Sequence, residues 1–98
     1  MVGVFVTFQY EDDFDAGKLE KIASEARAMF DGMPGLRTKY FTFDEQRRRA
    51  TNFYVWDDED AGRAFFSDEL RARVTGLYGV APTVDFVEIA EIVDNRTT

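Results

Sequence analysis

The chain has 98 residues, a formal net charge of −7, no cysteine and no histidine. The charge excludes a dedicated nucleic-acid binder, which needs basic groups against phosphates. The two missing residue types exclude a disulfide framework, thiolate or histidine metal ligation and a histidine general base. Apolar residues make up 45% of the sequence and ten of them are Phe, enough for the core of one domain spanning 1–98. Met1 to Phe5 has neither a basic lead nor a long apolar run, so no secretory signal or membrane span is expected, and the expected location is the cytoplasm.

Val2 to Gln9 predicts a first strand, with Val2, Val4, Val6 and Phe8 on one face. Glu11, Asp12 and Asp13 break that run and place negative charge where a helix can begin. Leu19, Ile22, Ala23, Ala26, Met29, Phe30 and Met33 then recur at steps of three and four, one apolar helical face. The helix should end near Asp31-Gly32, with Pro34-Gly35 as punctuation.

Leu36 to Phe43 reads as a second strand, Asp44 to Ala50 as a polar link and Thr51 to Trp56 as a third strand. Arg47, Arg48 and Arg49 in the link suit a solvated hairpin turn. On the third strand Asn52, Tyr54 and Trp56 share one side, large, aromatic and tipped with hydrogen-bonding groups. Phe53 and Val55 share the other, which reads as ordinary core.

Asp58 is the expected cap of a second helix, followed by first-turn acids. Ala61, Ala64, Phe65, Leu70, Val74 and Leu77 form its expected buried side, and Ser67 can cap a new helical turn within it. Gly79 closes the segment, Val84 to Val93 alternates as a last strand, and Asn95 to Thr98 reads as a frayed tail. The order β-α-β-β-α-β is the ferredoxin-like split βαβ arrangement: an antiparallel four-stranded sheet with two helices on one face. Both sheet faces carry Phe, Tyr, Val or Ile, and pairing two such faces in a homodimer is the simplest cover.

Pro34-Gly35-Leu36, Lys39-Tyr40-Phe41 and Asn52-Phe53-Tyr54-Val55-Trp56 resemble the dimeric α+β barrel monooxygenases. So do Ala64-Phe65-Phe66, Ser67 to Arg71 and Tyr78 to Val84. The likeness covers roughly Pro34 to Asn95 and is closest to the YdhR-like proteins, relatives of the antibiotic-biosynthesis monooxygenases. It implies two ferredoxin-like subunits with facing sheets, and a cavity between sheet and helices in each. It implies oxidation of an aromatic or polyketide-like phenol with no cofactor and no metal, the substrate anion itself reacting with oxygen in a dry, orienting pocket. An asparagine and a tryptophan four residues apart on the third strand recur in such enzymes, and Asn52 and Trp56 match that spacing. Members often carry a histidine after the third strand; this chain has none, so any catalysis rests on substrate reactivity, desolvation and hydrogen bonding.

Asn52, Tyr54 and Trp56 are therefore the candidate catalytic residues: an amide donor to a substrate oxygen, a phenolic donor and a pocket wall. Each also reads as structural, a paired amide or core aromatic. Lys39, Phe41, Phe65, Phe66, Arg71 and Tyr78 are the candidate substrate-binding residues. Lys39 can favour a substrate enolate by charge or simply snorkel to water; Arg71 and Tyr78 can face the cavity mouth or form helix-end contacts. Helix capping accounts for the acids at Glu11 to Asp13 and Asp57 to Asp60 without a metal. The expected partners are a second copy of the chain and a small hydrophobic aromatic ligand, with neither nucleic acid nor membrane. Two other readings stay open: a non-catalytic small-molecule-binding or stress-related dimer, and an assembly module whose aromatic face is dimer core.

Overall fold

Alternating valines and phenylalanines place β1 (Val2–Gln9) at the centre of the molecule, paired antiparallel with strands on both sides. The structure, a computed structural model, describes residues 1–95. After β1 come α1 (Ala16–Phe30), β2 (Leu36–Asp44), β3 (Arg49–Trp56), α2 (Glu59–Phe65), α3 (Asp68–Tyr78) and β4 (Thr83–Glu88). The sheet order is β2-β3-β1-β4, the ferredoxin-like arrangement, with the second helical segment split in two. Among the described residues no helix is long and apolar enough to cross a membrane.

Local signals decide where the helices begin and end. Asp15, not the acids of 11–13, caps α1: its carboxylate accepts from the Lys18 amide at 3.1 Å. Asp58 caps α2, accepting from the amides of Asp60 and Ala61. Ser67 caps α3 through the Leu70 amide, so the break expected there is real. Gly79 ends α3 in the left-handed conformation, its N–H donating to the Thr75 carbonyl at 2.9 Å. Ala64 is exposed and Leu77 half exposed rather than buried.

The helices cover the face that carries Val2, Val4, Val6 and Phe8 on β1 and Asn52, Tyr54 and Trp56 on β3, and the core is built there. The Phe53 side is thus the outer face of the sheet, which corrects its reading as ordinary core. Outer-face Phe5 and Tyr40 are 39% and 56% exposed, whereas Val55 is buried. The β2–β3 hairpin pairs as far as Asp44 and Arg49, two residues earlier on β3 than its β-branched run suggests. Arg47 and Arg48 occupy the turn, Arg47 paired with Asp44 at 3.0 Å and Arg48 with Asp12 at 3.3 Å. β4 ends at Glu88, not Val93, because its partner β1 begins at Val2, opposite Glu88. Of the expected frayed tail only Asn95 falls among the described residues.

Candidate functional site

One irregularity of β2 builds the site. Leu36 lies opposite Trp56, but Thr38 lies opposite Val55, so Arg37 is an extra residue in the strand. Uninterrupted alternation from Leu36 would turn Lys39 to the outer face. The bulge shifts the remainder of β2 by one, and Lys39 and Phe41 face the helices opposite Tyr54 and Asn52. Arg37 itself stays outside, paired with Asp57 at 3.2 Å.

Above these residues lies a cavity of about 300 Å³ between the sheet and the helices, at the lower end of the ~300–1,000 Å³ usual for small-molecule sites. Its floor includes Lys39, Phe41, Asn52 and Tyr54, and Phe65, Phe66, Arg71 and Tyr78 belong to its helical side. Eight of the nine residues singled out in the sequence thus line one space. The ninth, Trp56, stands behind Tyr54, its ring stacked at 6.2 Å between centroids. It is 1% exposed and packs under Gly62 of α2. Its indole Nε1 has no hydrogen-bond partner among the described residues.

Met29 of α1 and Leu77 of α3 line the cavity and are half exposed, so it opens to solvent between those helices. Exposed Glu25, Arg71 and Arg73 bring charge of both signs to the mouth. Arg71 also turns its Nε back to the Phe66 carbonyl at 3.4 Å.

The interior is apolar apart from the Tyr54 hydroxyl and two further polar features. The first is an ordered chain on the wall. Asn52, 4% exposed, donates its amide Nδ2 to the Tyr78 hydroxyl at 3.0 Å. Tyr78 lies flat on Phe8, ring centroids 3.8 Å apart, and its carbonyl accepts from the Tyr10 hydroxyl at 2.7 Å. Because the Tyr78 oxygen accepts from Asn52, its own proton is available to a ligand oxygen. Burial raises the Tyr78 pKa, with the Asn52 bond opposing, and burial together with nearby Tyr78 raises that of Tyr54; both are neutral donors at physiological pH.

The second feature is Lys39. Its Nζ lies 3.5 Å from the ring centroid of Phe30, 4.1 Å from that of Phe41 and 4.5 Å from that of Tyr54. No carboxylate pairs with it among the described residues. Ring faces favour the ammonium, loss of water disfavours it, and burial prevails: the pKa falls from the usual 10.5 to about 7. Phe30, which supplies the nearest of these rings, carried no signal in the sequence beyond its place on the apolar face of α1. Among the described residues no group of three or more acids forms a metal site.

No protein-family model matches the sequence, and no curated protein matches it. Solved structures do match. A protein of unknown function from Nitrosomonas europaea aligns over 98% of this chain and 95% of its own with a TM-score of 0.72 and 15% identity. A variant of SnoaB, a cofactor-independent oxygenase from Streptomyces nogalater, aligns over 94% of this chain and 95% of its own, with a TM-score of 0.66 and 17% identity. The ActVA-Orf6 monooxygenase of Streptomyces coelicolor, in complex with nanaomycin D, aligns over 94% and 89%, with a TM-score of 0.67 and 17% identity. At such identities the likeness speaks for the fold: this chain has the ferredoxin-like α+β fold of the antibiotic-biosynthesis monooxygenase-like structures.

Proposed function

We propose that this chain is a cofactor-independent monooxygenase that oxidises an aromatic or polyketide-like phenol. The observation that carries the reading is the aromatic cavity of about 300 Å³ lined by Lys39, an amine with no carboxylate partner among the described residues, and by a buried donor pair, Asn52 and Tyr78. The shared fold with a cofactor-independent oxygenase and with a monooxygenase complexed to nanaomycin D supports it.

A base is most effective when its pKa lies near the working pH, as that of Lys39 does at about 7. Lys39 takes the phenolic proton, and the ammonium it becomes holds the electron-rich anion against the rings. Tyr78, oriented by Asn52, donates to the substrate oxygen. Dioxygen reacts with the anion at a ring carbon bearing two hydrogens in the keto tautomer. That CH2 becomes C=O, and the second oxygen atom leaves as water with both hydrogens, so no external reductant is consumed. Tyr54 and the phenylalanines orient the ring, and Trp56 holds Tyr54 in place from behind.

Oxygen uptake with a dihydroxyanthracene-type phenol tests this. Tyr78→Phe and Asn52→Ala should each lower kcat by about a hundred-fold or more, the scale of a lost oxyanion donor, and Lys39→Met should abolish the rise in rate through neutral pH. No quinone above the blank, with all three variants equal to wild type, would sink the reading. The outer faces of two sheets, with Phe5, Tyr40, Phe53 and Val87, are proposed to pair in a homodimer; a monomer by light scattering at micromolar concentration would contradict it.

The second reading is a small-molecule-binding protein without turnover. The Asn52–Tyr78 bond favours it, since it satisfies the buried amide with no ligand present. Melting-temperature shifts with aromatic ligands but no oxygen uptake would select it.

A further inference from the structure

From the geometry we infer that Lys39 is a covalent capture site for aromatic aldehydes and ketones, which its Nζ binds as an imine. This goes beyond phenol oxidation and needs no oxygen.

Lys39 lines the cavity, its Nζ within 4.5 Å of the centroids of three rings, on Phe30, Phe41 and Tyr54; a second, open pocket that Lys39 also lines brings Arg27, Asp31 and Arg37 near the same residue. These rings come from α1, β2 and β3, so the amine is held from three directions and not merely hidden on one strand. The titratable and charged groups that share the cavity are few: Tyr54 on β3, Tyr78, Arg71 and Arg73 on α3, and Glu25 on α1. Glu25 is exposed at the mouth and lies 4.0 Å from Lys21, so it is not the partner of Lys39. An amine without a carboxylate, walled by rings, is the setting in which a lysine reacts as a nucleophile. With a pKa of about 7, about half of it carries a free lone pair at neutral pH. The same rings select the ligand. A planar aromatic group beside the carbonyl stacks on them, and the Tyr78 hydroxyl, which accepts from Asn52, lines the same cavity.

The lone pair of Nζ attacks the carbonyl carbon, and the C=O π pair moves to oxygen. That oxygen takes the proton shed by nitrogen, giving a carbinolamine. The hydroxyl then leaves with the remaining N–H proton as water, and the C=N bond forms. Amine and carbonyl become imine and water, with no oxidant or reductant.

The chain contains three lysines, Lys18, Lys21 and Lys39, so each site has internal controls. The whole protein is incubated under nitrogen at pH 7 with 1-naphthaldehyde and sodium cyanoborohydride, whose hydride fixes the imine as a secondary amine. Peptide mass mapping over time reads the rate at each lysine. Lys39 should label at least about ten-fold faster than Lys18 or Lys21, as a desolvated amine does, with saturation in aldehyde and slowing by 1-naphthalenemethanol, which fills the cavity but cannot condense. Lys39→Arg should lose the fast adduct, and Lys18→Arg/Lys21→Arg should keep it. Equal rates at the three lysines overturn the inference, and so does fast labelling that the alcohol does not compete. The competition is measured on the wild-type chain, so the result stands even if Lys39→Arg folds poorly. Oxygen is absent, so failure here leaves the oxidation reading intact, and failed oxygen uptake leaves this one intact.

Discussion

Lys39 faces Tyr54 across the β2–β3 pair, its Nζ 4.5 Å from the centre of the tyrosine ring, with Arg37 an extra residue in β2. Strand alternation has a period of two, so one added residue exchanges the faces of everything beyond it unless it bulges out of the ladder. Because Arg37 bulges out of the ladder instead of pairing, Lys39 and Phe41 keep their places in the cavity, while Tyr40 and Thr42 point outward with the outer sheet face.

Insertion of an alanine between Thr38 and Lys39 should therefore do far more than a change in a half-exposed strand suggests, whereas deletion of Arg37 leaves Leu36 opposite Trp56 and Thr38 opposite Val55 in regular alternation. With the insertion, the strand must either widen the bulge and lose pairing or turn Lys39 and Phe41 outward and Tyr40 and Thr42 inward, at a cost of about 2 kcal/mol or more in buried apolar contacts. In a domain of this size that lowers Tm by about 8 °C or more. Arg37→Ala keeps the bulge and removes only a half-exposed ion pair with Asp57, worth under about 1 kcal/mol. Thermal melts of the insertion variant and Arg37→Ala should differ sharply. An insertion variant that melts with wild type would show that the register of β2 does not hold Lys39 and Phe41 in place.

The second relationship concerns Trp56 and Gly62. A β-carbon built on Gly62 would sit 2.8 Å from Trp56 Cγ, closer than real contacts come. Helix propensity and packing oppose each other here. Alanine in a helix interior is favoured over glycine by about 1 kcal/mol, but forcing a methyl group into a filled core costs about 1–3 kcal/mol. Gly62→Ala should destabilise, with a lowered denaturation midpoint at unchanged m-value. Trp56→Phe opens space at the same spot, so the double variant should lose less than the two single losses added. Additive losses in the denaturant titrations would show that the indole is not what Gly62 accommodates.

Much of this was legible in the chain because it is local. The caps at Asp58 and Ser67 and the stop at Gly79 follow from the residue and its immediate neighbours. Alternation in Val2 to Phe8 correctly placed four side chains on one face. It said nothing of which face the helices would cover, and so Phe53, on the outer side, read as core. It also gave Asn52, Tyr54 and Trp56 a common face without giving depth: Asn52 and Tyr54 reach the cavity, whereas Trp56 lies behind them under Gly62. The bulge at Arg37 had no local signature, since it depends on how β2 aligns with β3. Phe30 was seen as one apolar position among several, and only the fold brings it over Lys39. The end of β4 depends on where β1 begins, a pairing fact that the alternation of Val84 to Val93 cannot carry.

The partly buried amine and the buried phenols together give stability a defined pH dependence. Lys39 has its pKa lowered to about 7 from the usual 10.5. Between those values the unfolded chain holds a proton that the folded chain has shed, so stability rises with pH across that window and is lost as pH falls towards 7. The tyrosines act in the opposite direction. Burial first, then Tyr78 and Asp13, push the Tyr10 pKa up from 10.0 to about 12; Tyr54 and Tyr78 are also raised, chiefly by burial. Above pH 10 the unfolded chain loses phenolic protons that the folded chain keeps, so stability falls. Urea titrations should place the maximum between pH 9 and 10, within the limits set by these groups. Lys39→Met removes the partly buried amine and leaves the phenols. It should raise Tm at pH 7 by about 4 °C or more, the effect of about 1 kcal/mol in a domain this size, and it should flatten the slope from pH 7 to 10 while keeping the fall above it. A variant that retains the wild-type slope would place the titrating group elsewhere and remove Lys39 as the partly buried base.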